Sequence, residues 1–227
     1  MTDGLTTYEL ADGIATITLD DGKVNALSPE MLAAIGARLD RAEADEAVVV
    51  LTGRERTFSA GFDLRSDDWP TMLTAGARTA ERMLTFPRPI VVACNGNALA
   101  MGAFLLLSAD HRVGARGDYK IGLNEVAIGL TLPYFGIALA RHRLTRPAFD
   151  RCAVTGVILD PDEACAAGFL DAVVAPEEVP GTAREAAARL AGIDMNAHHA
   201  TKLRIRADAL AGLADGIERI ANPERGV

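Results

Sequence analysis

Aromatic side chains are scarce: they make up 5% of the 227 residues, with one tryptophan and three tyrosines. Hydrophobic residues still reach 49%, so the chain can bury a sizeable core, and that core must be aliphatic. Cysteine is nearly absent as well. Cys94, Cys152 and Cys165 are odd in number and form no CxxC pair, which argues against a disulfide framework or a zinc site and for reduced thiols. Positive charge is in deficit, with 23 Lys and Arg against 31 Asp and Glu, a net charge of −8 and a pI near 5.0. That balance argues against nucleic acid or an anionic membrane surface as a main partner, though a few local cations suffice for an anionic small ligand. The dinucleotide motif GxGxxG, the P-loop GxxxxGK[ST] and the metalloprotease HExxH are all missing. The nucleophile-elbow GxSxG is missing too, because Ser59 sits in TFSAG, which does not match. The four histidines, His111, His142, His198 and His199, are not spaced as metal ligands. The polar, acidic start MTDGLTTYELADG shows no signal or transit peptide, and the expected location is cytoplasmic.

What is present centres on Pro89 to Asp110, PIVVACNGNALAMGAFLLLSAD. The stretch is nearly long and apolar enough for a membrane span, but Asn95-Gly96-Asn97 interrupts it. Pro89 to Cys94 then reads as a strand buried on both faces, and Ala98 to Ser108 as a buried helix rich in Ala, Leu and Met. No transmembrane segment is left. A sharp strand-to-helix turn leaves the first helical N–H groups unpaired. Such a terminus attracts the negative charge that develops on a carbonyl oxygen during a reaction.

Strands and helices alternate around this stretch. Thr6–Leu10 and Ile14–Leu19 flank a turn and read as a hairpin. Ser28-Pro29 opens a helix whose apolar residues Met31, Leu32, Ile35 and Leu39 recur at helical spacing to about Ala44. Ala47–Thr52 is a buried strand, Thr57–Leu64 a glycine-containing turn and Pro70–Phe86 a helix. Asp110–Ala115 is a strand and Asn124–Ile128 a short helical turn. Helices follow over Pro133–Leu144 and Pro147–Thr155. Asp160-Pro161-Asp162-Glu163 has capping-box order, and Gly168 ends the helix it starts. After a short strand at Ala172–Ala175, the chain from Glu177 to Ala221 is helical.

Four blocks in order resemble the enoyl-CoA hydratase/isomerase (crotonase) superfamily: TFSAGFDL from Thr57, PIVVACNGNALAMG from Pro89, IGLNEVAIGL from Ile121 with Pro133 behind it, and DPDEACAAGFLDAVV from Asp160. The resemblance covers about Thr6 to Ala175. It implies an α/β fold with a crotonase-type ββα spiral core over residues 1–176. A helical C-terminal region over 177–227 would support a homotrimer or a dimer of trimers, although its apolar positions Leu203, Leu210, Leu213 and Ile217 equally suit packing within one chain. The implied substrate is an acyl-CoA thioester. Coenzyme A then enters as part of the substrate, with no separate cofactor and no metal, and neither nucleic acid nor membrane is a partner.

Carried over position by position, the resemblance places two backbone donors to the thioester oxygen at Ala60 and Met101. Each such donor is typically worth roughly 2.7–4 kcal/mol in the transition state. Glycine is usual at the Met101 position, and the methionine side chain either packs in the core or lines the pocket. Glu125 aligns with the catalytic glutamate. Phe104 stands where two-glutamate hydratases carry their second carboxylate, and it makes the pocket drier. Hydration needs water activated and the α-carbon protonated, a division of labour suited to two carboxylates. A 1,3-proton shift needs one base, so a lone Glu125 favours isomerisation. Asp63, Asp67, Asp68 and Tyr134 are candidates to replace the missing acid. Lys23, in the turn KVNAL with Ala26, would meet a phosphate of CoA, and Phe58, Asp63, Gly102, Phe104 and Pro133 complete the expected substrate contacts. Lys202 and Arg206 share a helix face by spacing and read as solvated, or as reaching a phosphate in a neighbouring subunit. His198 and His199 read as surface residues, and Asp110-His111 as structural. The leading function is enoyl-CoA isomerisation or hydration in fatty-acid metabolism, through a stabilised enolate. The alternatives are a non-catalytic acyl-CoA-binding protein and a thioester hydrolase. No Ser/His/Asp set of the Clp-protease kind is apparent.

Overall fold

The N-terminal hairpin starts the main sheet. In the computed structural model, which describes residues 4–222, β1 (Thr6–Ala11) pairs antiparallel with β2 (Ile14–Leu19), Thr6 opposite Leu19. Both ends of the two expected regions, residues 1–3 and 223–227, lie outside the described residues. β3 (Ala26–Leu27) leads into α1 (Pro29–Ala44). There Ser28 Oγ accepts from Met31 N at 3.3 Å, as its capping position requires. The chain continues through β4 (Val48–Gly53), β5 (Thr57–Ser59), β6 (Gly61–Phe62), α2 (Trp69–Thr85), β7 (Ile90–Cys94), β8 (Asn97–Leu99) and α3 (Met101–Ser108). Next come β9 (His111–Ala115), β10 (Ile121–Gly122), a 3-10 turn (Val126–Ile128), α4 (Tyr134–Arg143), α5 (Arg146–Thr155) and α6 (Pro161–Ala167). β11 (Ala172–Val174), α7 (Val179–Ala191), α8 (Met195–Ile205) and α9 (Ala207–Ala221) finish it.

The main sheet has the order β1-β2-β4-β7-β9-β11 and is parallel from β2 onward. Its central strands are apolar throughout because both faces are covered. Val49, Leu51, Ile90 and Val92 join the large core with α1, α2 and α3, whereas Val48, Val50, Val91 and Ala93 pack on the other face with Val179, Ala183 and Ala187 of α7. Two smaller parallel sheets, β10-β8-β5 and β3-β6, stand beside this frame. The α/β spiral with a helical tail is thus the fold that forms, and no helix among the described residues is long and apolar enough to cross a membrane.

Two expectations about the fold need correction. The buried helix does not begin at Ala98: Asn97–Leu99 is a strand between β5 and β10, and Ala100 at φ +48° turns the chain into α3 at Met101. Lys202 and Arg206 are not solvated. Their side chains are 2% and 5% exposed, and both bind Asp110, Nζ at 2.7 Å from Oδ2 and Nη2 at 2.8 Å from Oδ1. Asp110 also accepts from Ile90 N at 2.7 Å, so one carboxylate ties α8 to the start of β7 and confirms its structural reading. His199 Nε2 contacts Thr85 O at 3.1 Å, and both His198 and His199 are half-buried. α9 packs on α2 and α4 of its own chain, with Leu213 fully buried.

Candidate active site

A cavity of about 920 Å³ lies among five chain segments and α9. The β2–β3 turn contributes Asp21, Lys23, Val24 and Ala26, and the chain around β6 contributes Ala60, Phe62, Asp63 and Leu64. Trp69 and Leu73 of α2, Ala100, and the segment from Asn124 to Tyr134 complete the walls, with Gly216, Arg219 and Ile220 of α9 closing one side. Most of these surfaces are apolar, as in a pocket for a largely hydrophobic ligand with a few placed polar groups.

Two tight turns meet at the inner wall. Gly61 has φ +95°, and a Cβ there would lie 2.8 Å from Leu99 O and from Ala100 Cβ. Only glycine lets the turn after β5 press against the turn before α3. Asn25, fully buried, locks the first turn in place by donating from Nδ2 to Leu19 O, Thr57 O and Phe58 O at 3.0–3.2 Å. Ser59 Oγ donates to Asn25 O at 2.7 Å and accepts from Gly61 N at 3.2 Å. Beneath them Asp21 accepts from the N–H groups of Lys23, Asn25 and Ala26 at 2.7–2.9 Å. Burial opposes its ionisation, but those three bonds hold its carboxyl below the ordinary value.

The expected donor Ala60 lines the cavity, yet its N–H is used: it donates to Val24 O at 3.0 Å. That is a correction, and the reason is the parallel pairing of β6 with β3. In that pairing Asp63 N donates to Leu27 O at 3.5 Å, so Leu27 supplies both groups of its bridge with Phe62. The Phe62 N–H is therefore left out of this ladder. Met101 itself is fully buried and is not among the residues that line the cavity, whereas Ala100 before it is. Ala100 N donates to Gly122 O, no side chain caps α3, and the first bond back to Ala100 O comes from Phe104 N at 3.0 Å. The N–H of Met101 thus has no partner within the helix. Its side chain takes the core option: a Cβ on Gly76 would lie 3.1 Å from Met101 Sδ and 2.6 Å from Phe62 Cζ, so both side chains turn towards α2.

Glu125 precedes the 3-10 turn, lines the same cavity and is 6% exposed. Its Oε2 is buried and accepts no bond from the described residues. Burial pushes the carboxyl up from 4.5 to about 7, against a smaller pull from its own backbone N–H. A carboxylate poised near neutrality in an apolar pocket is suited to taking and returning a proton.

Of the other expected contacts, Lys23, Ala26, Asp63 and Pro133 line the cavity. Phe58, Gly102 and Phe104 do not, and each is a core residue. Phe104 stacks edge-on against Phe135, centroids 5.5 Å apart, and a Cβ on Gly136 would lie 2.3 Å from its Cζ. Gly102 packs against Ser59, where a Cβ would be 2.7 Å from Ser59 O. Asp63 is paired with Arg65 at 2.8 Å, and hydrogen bonds from Arg65 hold its carboxyl below the ordinary value. Asp68 caps α2 through Thr71 N at 3.1 Å. Tyr134 lines the cavity under the Arg219 guanidinium, 4.5 Å from its ring centroid. Sequence reasoning missed Asn25, Asp21, Phe62 and Asn124. Asn25 and Asp21 carried a signal, as Asx residues in a turn between two strands.

The chain as a whole is similar to known proteins. Residues 9–219 match a family model described as enoyl-CoA hydratase/isomerase. A putative enoyl-CoA hydratase of Thermus thermophilus is 36% identical over 225 residues, 92% of this chain and 86% of that protein. A solved enoyl-CoA hydratase/isomerase family protein from Pseudomonas syringae is 47% identical with a TM-score of 0.95, covering 98% of this chain and 99% of the other. A solved enoyl-CoA isomerase of Mycobacterium tuberculosis is 46% identical with a TM-score of 0.94, covering 96% and 98%.

Proposed function

The chain belongs to the enoyl-CoA hydratase/isomerase family, and from that premise we propose that it is an enoyl-CoA isomerase using Glu125 as its single base. The carrying observation is that Glu125 is the one buried carboxylate among the described residues that line the cavity, with a core phenylalanine where a second acid is expected. The thioester oxygen takes the N–H groups of Met101 and Phe62; the latter replaces Ala60, whose N–H is engaged. Glu125 removes a proton from C2 of a 3-enoyl thioester, and the electrons move onto the thioester oxygen as an enolate held by those donors. The same carboxyl then returns the proton to C4, leaving a 2-enoyl thioester. Apolar walls keep the proton from exchanging with solvent between the two carbons. Lys23, exposed at the rim, meets a phosphate of the CoA moiety. Relatives named as isomerases and relatives named as hydratases both resemble this chain, so the choice rests on the chemistry of the site. Assembly as a trimer belongs to the same proposal, and light scattering coupled to gel filtration tests it.

The decisive assay supplies a 3-enoyl-CoA to the wild type and to Glu125→Gln. Isomerisation that falls by about 10²–10⁴-fold or more in the variant is expected. Unchanged isomerisation would refute the single-base assignment. Tight acyl-CoA binding without turnover would point to a binding protein instead.

A further inference from the structure

A second cavity, of about 440 Å³, opens at the joint between α4 and α5. Arg141 and Leu144 come from the end of α4, and Arg146, Phe149 and Asp150 from α5. None of the five lines the larger cavity. Leu144 is buried and Phe149 half-buried, so the floor is apolar, whereas the three charged side chains are exposed. Arg141 Cζ stands over the Phe149 ring, 5.3 Å from its centroid. Arg146, Phe149 and Asp150 follow at i, i+3 and i+4, which puts them on one face of α5 with Cβ atoms about 5–6 Å apart. Two guanidiniums thus flank one ring above an apolar floor.

Among the described residues, neither Arg141 nor Arg146 has a carboxylate partner, and Asp150 pairs with neither. In a chain of net charge −8, two such cations on one small cavity are a local exception. Arg143, by contrast, turns inward and donates to Leu107 O at 3.1 Å. A cation at the end of α4 suits that helix, but Arg146 is the first residue of α5, where a helix disfavours positive charge. Helix electrostatics therefore does not account for it. We propose that this cavity binds a small organic carboxylate with a flat apolar body. The carboxylate accepts from the guanidiniums of Arg141 and Arg146, and the body lies against Leu144 and Phe149. Arginine suits both contacts, since its planar fork matches a carboxylate and its face stacks on flat apolar groups. With Asp150 the rim carries one net positive charge, which a monoanion neutralises and a phosphate dianion exceeds.

The test titrates 1-naphthoate into the full-length protein by calorimetry at low salt. Saturable binding to the wild type is expected. Arg141→Ala and Arg146→Ala each weaken it by about tenfold or more, and Arg146→Lys, which keeps the charge but not the fork, weakens it less than Arg146→Ala. 1-Naphthol, without the charge, and acetate, without the body, bind at least about tenfold more weakly than naphthoate. Both alanine variants are exposed changes and should melt within about 2 °C of the wild type; should either melt early, glutamine at that position reads the same loss. Absence of saturable naphthoate binding overturns the proposal. Equal affinity in the wild type and both alanine variants also overturns it, since the probe is then held elsewhere, the larger cavity included. Acetate bound as tightly as naphthoate means an adventitious ion only. 1-Naphthyl phosphate bound more tightly than naphthoate at pH 8 overturns the choice of a carboxylate.

Discussion

Replacing Glu125 by glutamine removes one ionisable proton and almost no volume, so its effect on stability can be separated by pH from its effect on turnover. In the folded protein the carboxyl holds its proton up to about pH 7, because burial disfavours the charged form. In the unfolded chain it lets go near 4.5. Between these values the folded state binds more protons, so stability falls as pH rises. The contribution is fully present below about 4.5 and is lost as pH passes through about 7. At roughly 1.4 kcal/mol for each pH unit of that interval, the loss reaches about 3 kcal/mol. Glutamine does not titrate. Urea unfolding of both proteins at pH 4.5 and pH 8 should therefore show the wild type losing about 3 kcal/mol relative to the variant. In thermal melts of a chain this size that is about 6–12 °C. The same protonation makes kcat/KM for isomerisation rise through about pH 7, since the base acts as the carboxylate. A stability difference that stays flat between the two pH values would refute the buried, neutral-leaning carboxyl, and with it the reason for its reactivity.

Three further perturbations follow from the packing. Gly61→Ala places a methyl group 2.8 Å from Leu99 O at a φ of +95°. It should cost about 1–3 kcal/mol and, by shifting the proposed donors, about 10²-fold in kcat, read by denaturation and steady-state assay. Asp110→Ala leaves the ammonium of Lys202 and the guanidinium of Arg206 buried without their carboxylate. Denaturant melts should show a loss of about 3–5 kcal/mol, and a loss under 1 kcal/mol would mean that α8 is not anchored there. Gly76→Ala brings a methyl group 2.6 Å from the ring of Phe62 and 3.1 Å from Met101 Sδ. Overpacking there should cost about 1–3 kcal/mol, with kcat falling more than KM rises.

What the sequence disclosed and what it hid divide along the range of the interactions. Ser28-Pro29 and the Asp160–Glu163 capping box are local devices, and both helices start where those residues dictate. β8 is three residues long and exists through pairing with β5 and β10, some 40 and 23 positions away in the chain, so local composition merged it with the helix behind it. Lys202 and Arg206 have the spacing of a solvated face, and only a carboxylate 92 residues back makes them buried. The donor at the first turn was misplaced for a related reason. Which N–H of a glycine turn is free depends on the strand beside it, and β3 takes Ala60 through Val24 O while leaving Phe62 out of the ladder.

Phe104 brings these lines together. From sequence it reads as a pocket residue standing in for an acid, which suggests that restoring the acid would restore two-carboxylate hydration. The structure points elsewhere: the ring lies against Phe135 and the backbone at Gly136, fully buried and off the cavity wall. A glutamate placed there meets an apolar core closed by α4 before it meets any ligand. Phe104→Glu should therefore lose on the order of 5 kcal/mol at pH 8, where the carboxylate is charged. It should lose less near pH 4, where the carboxyl is neutral, and gain no hydratase activity at either pH. A folded variant that hydrates a 2-enoyl-CoA faster than the wild type would show that α3 can turn this position to the substrate, and that the single-base chemistry rests on one side chain rather than on how α3 and α4 pack.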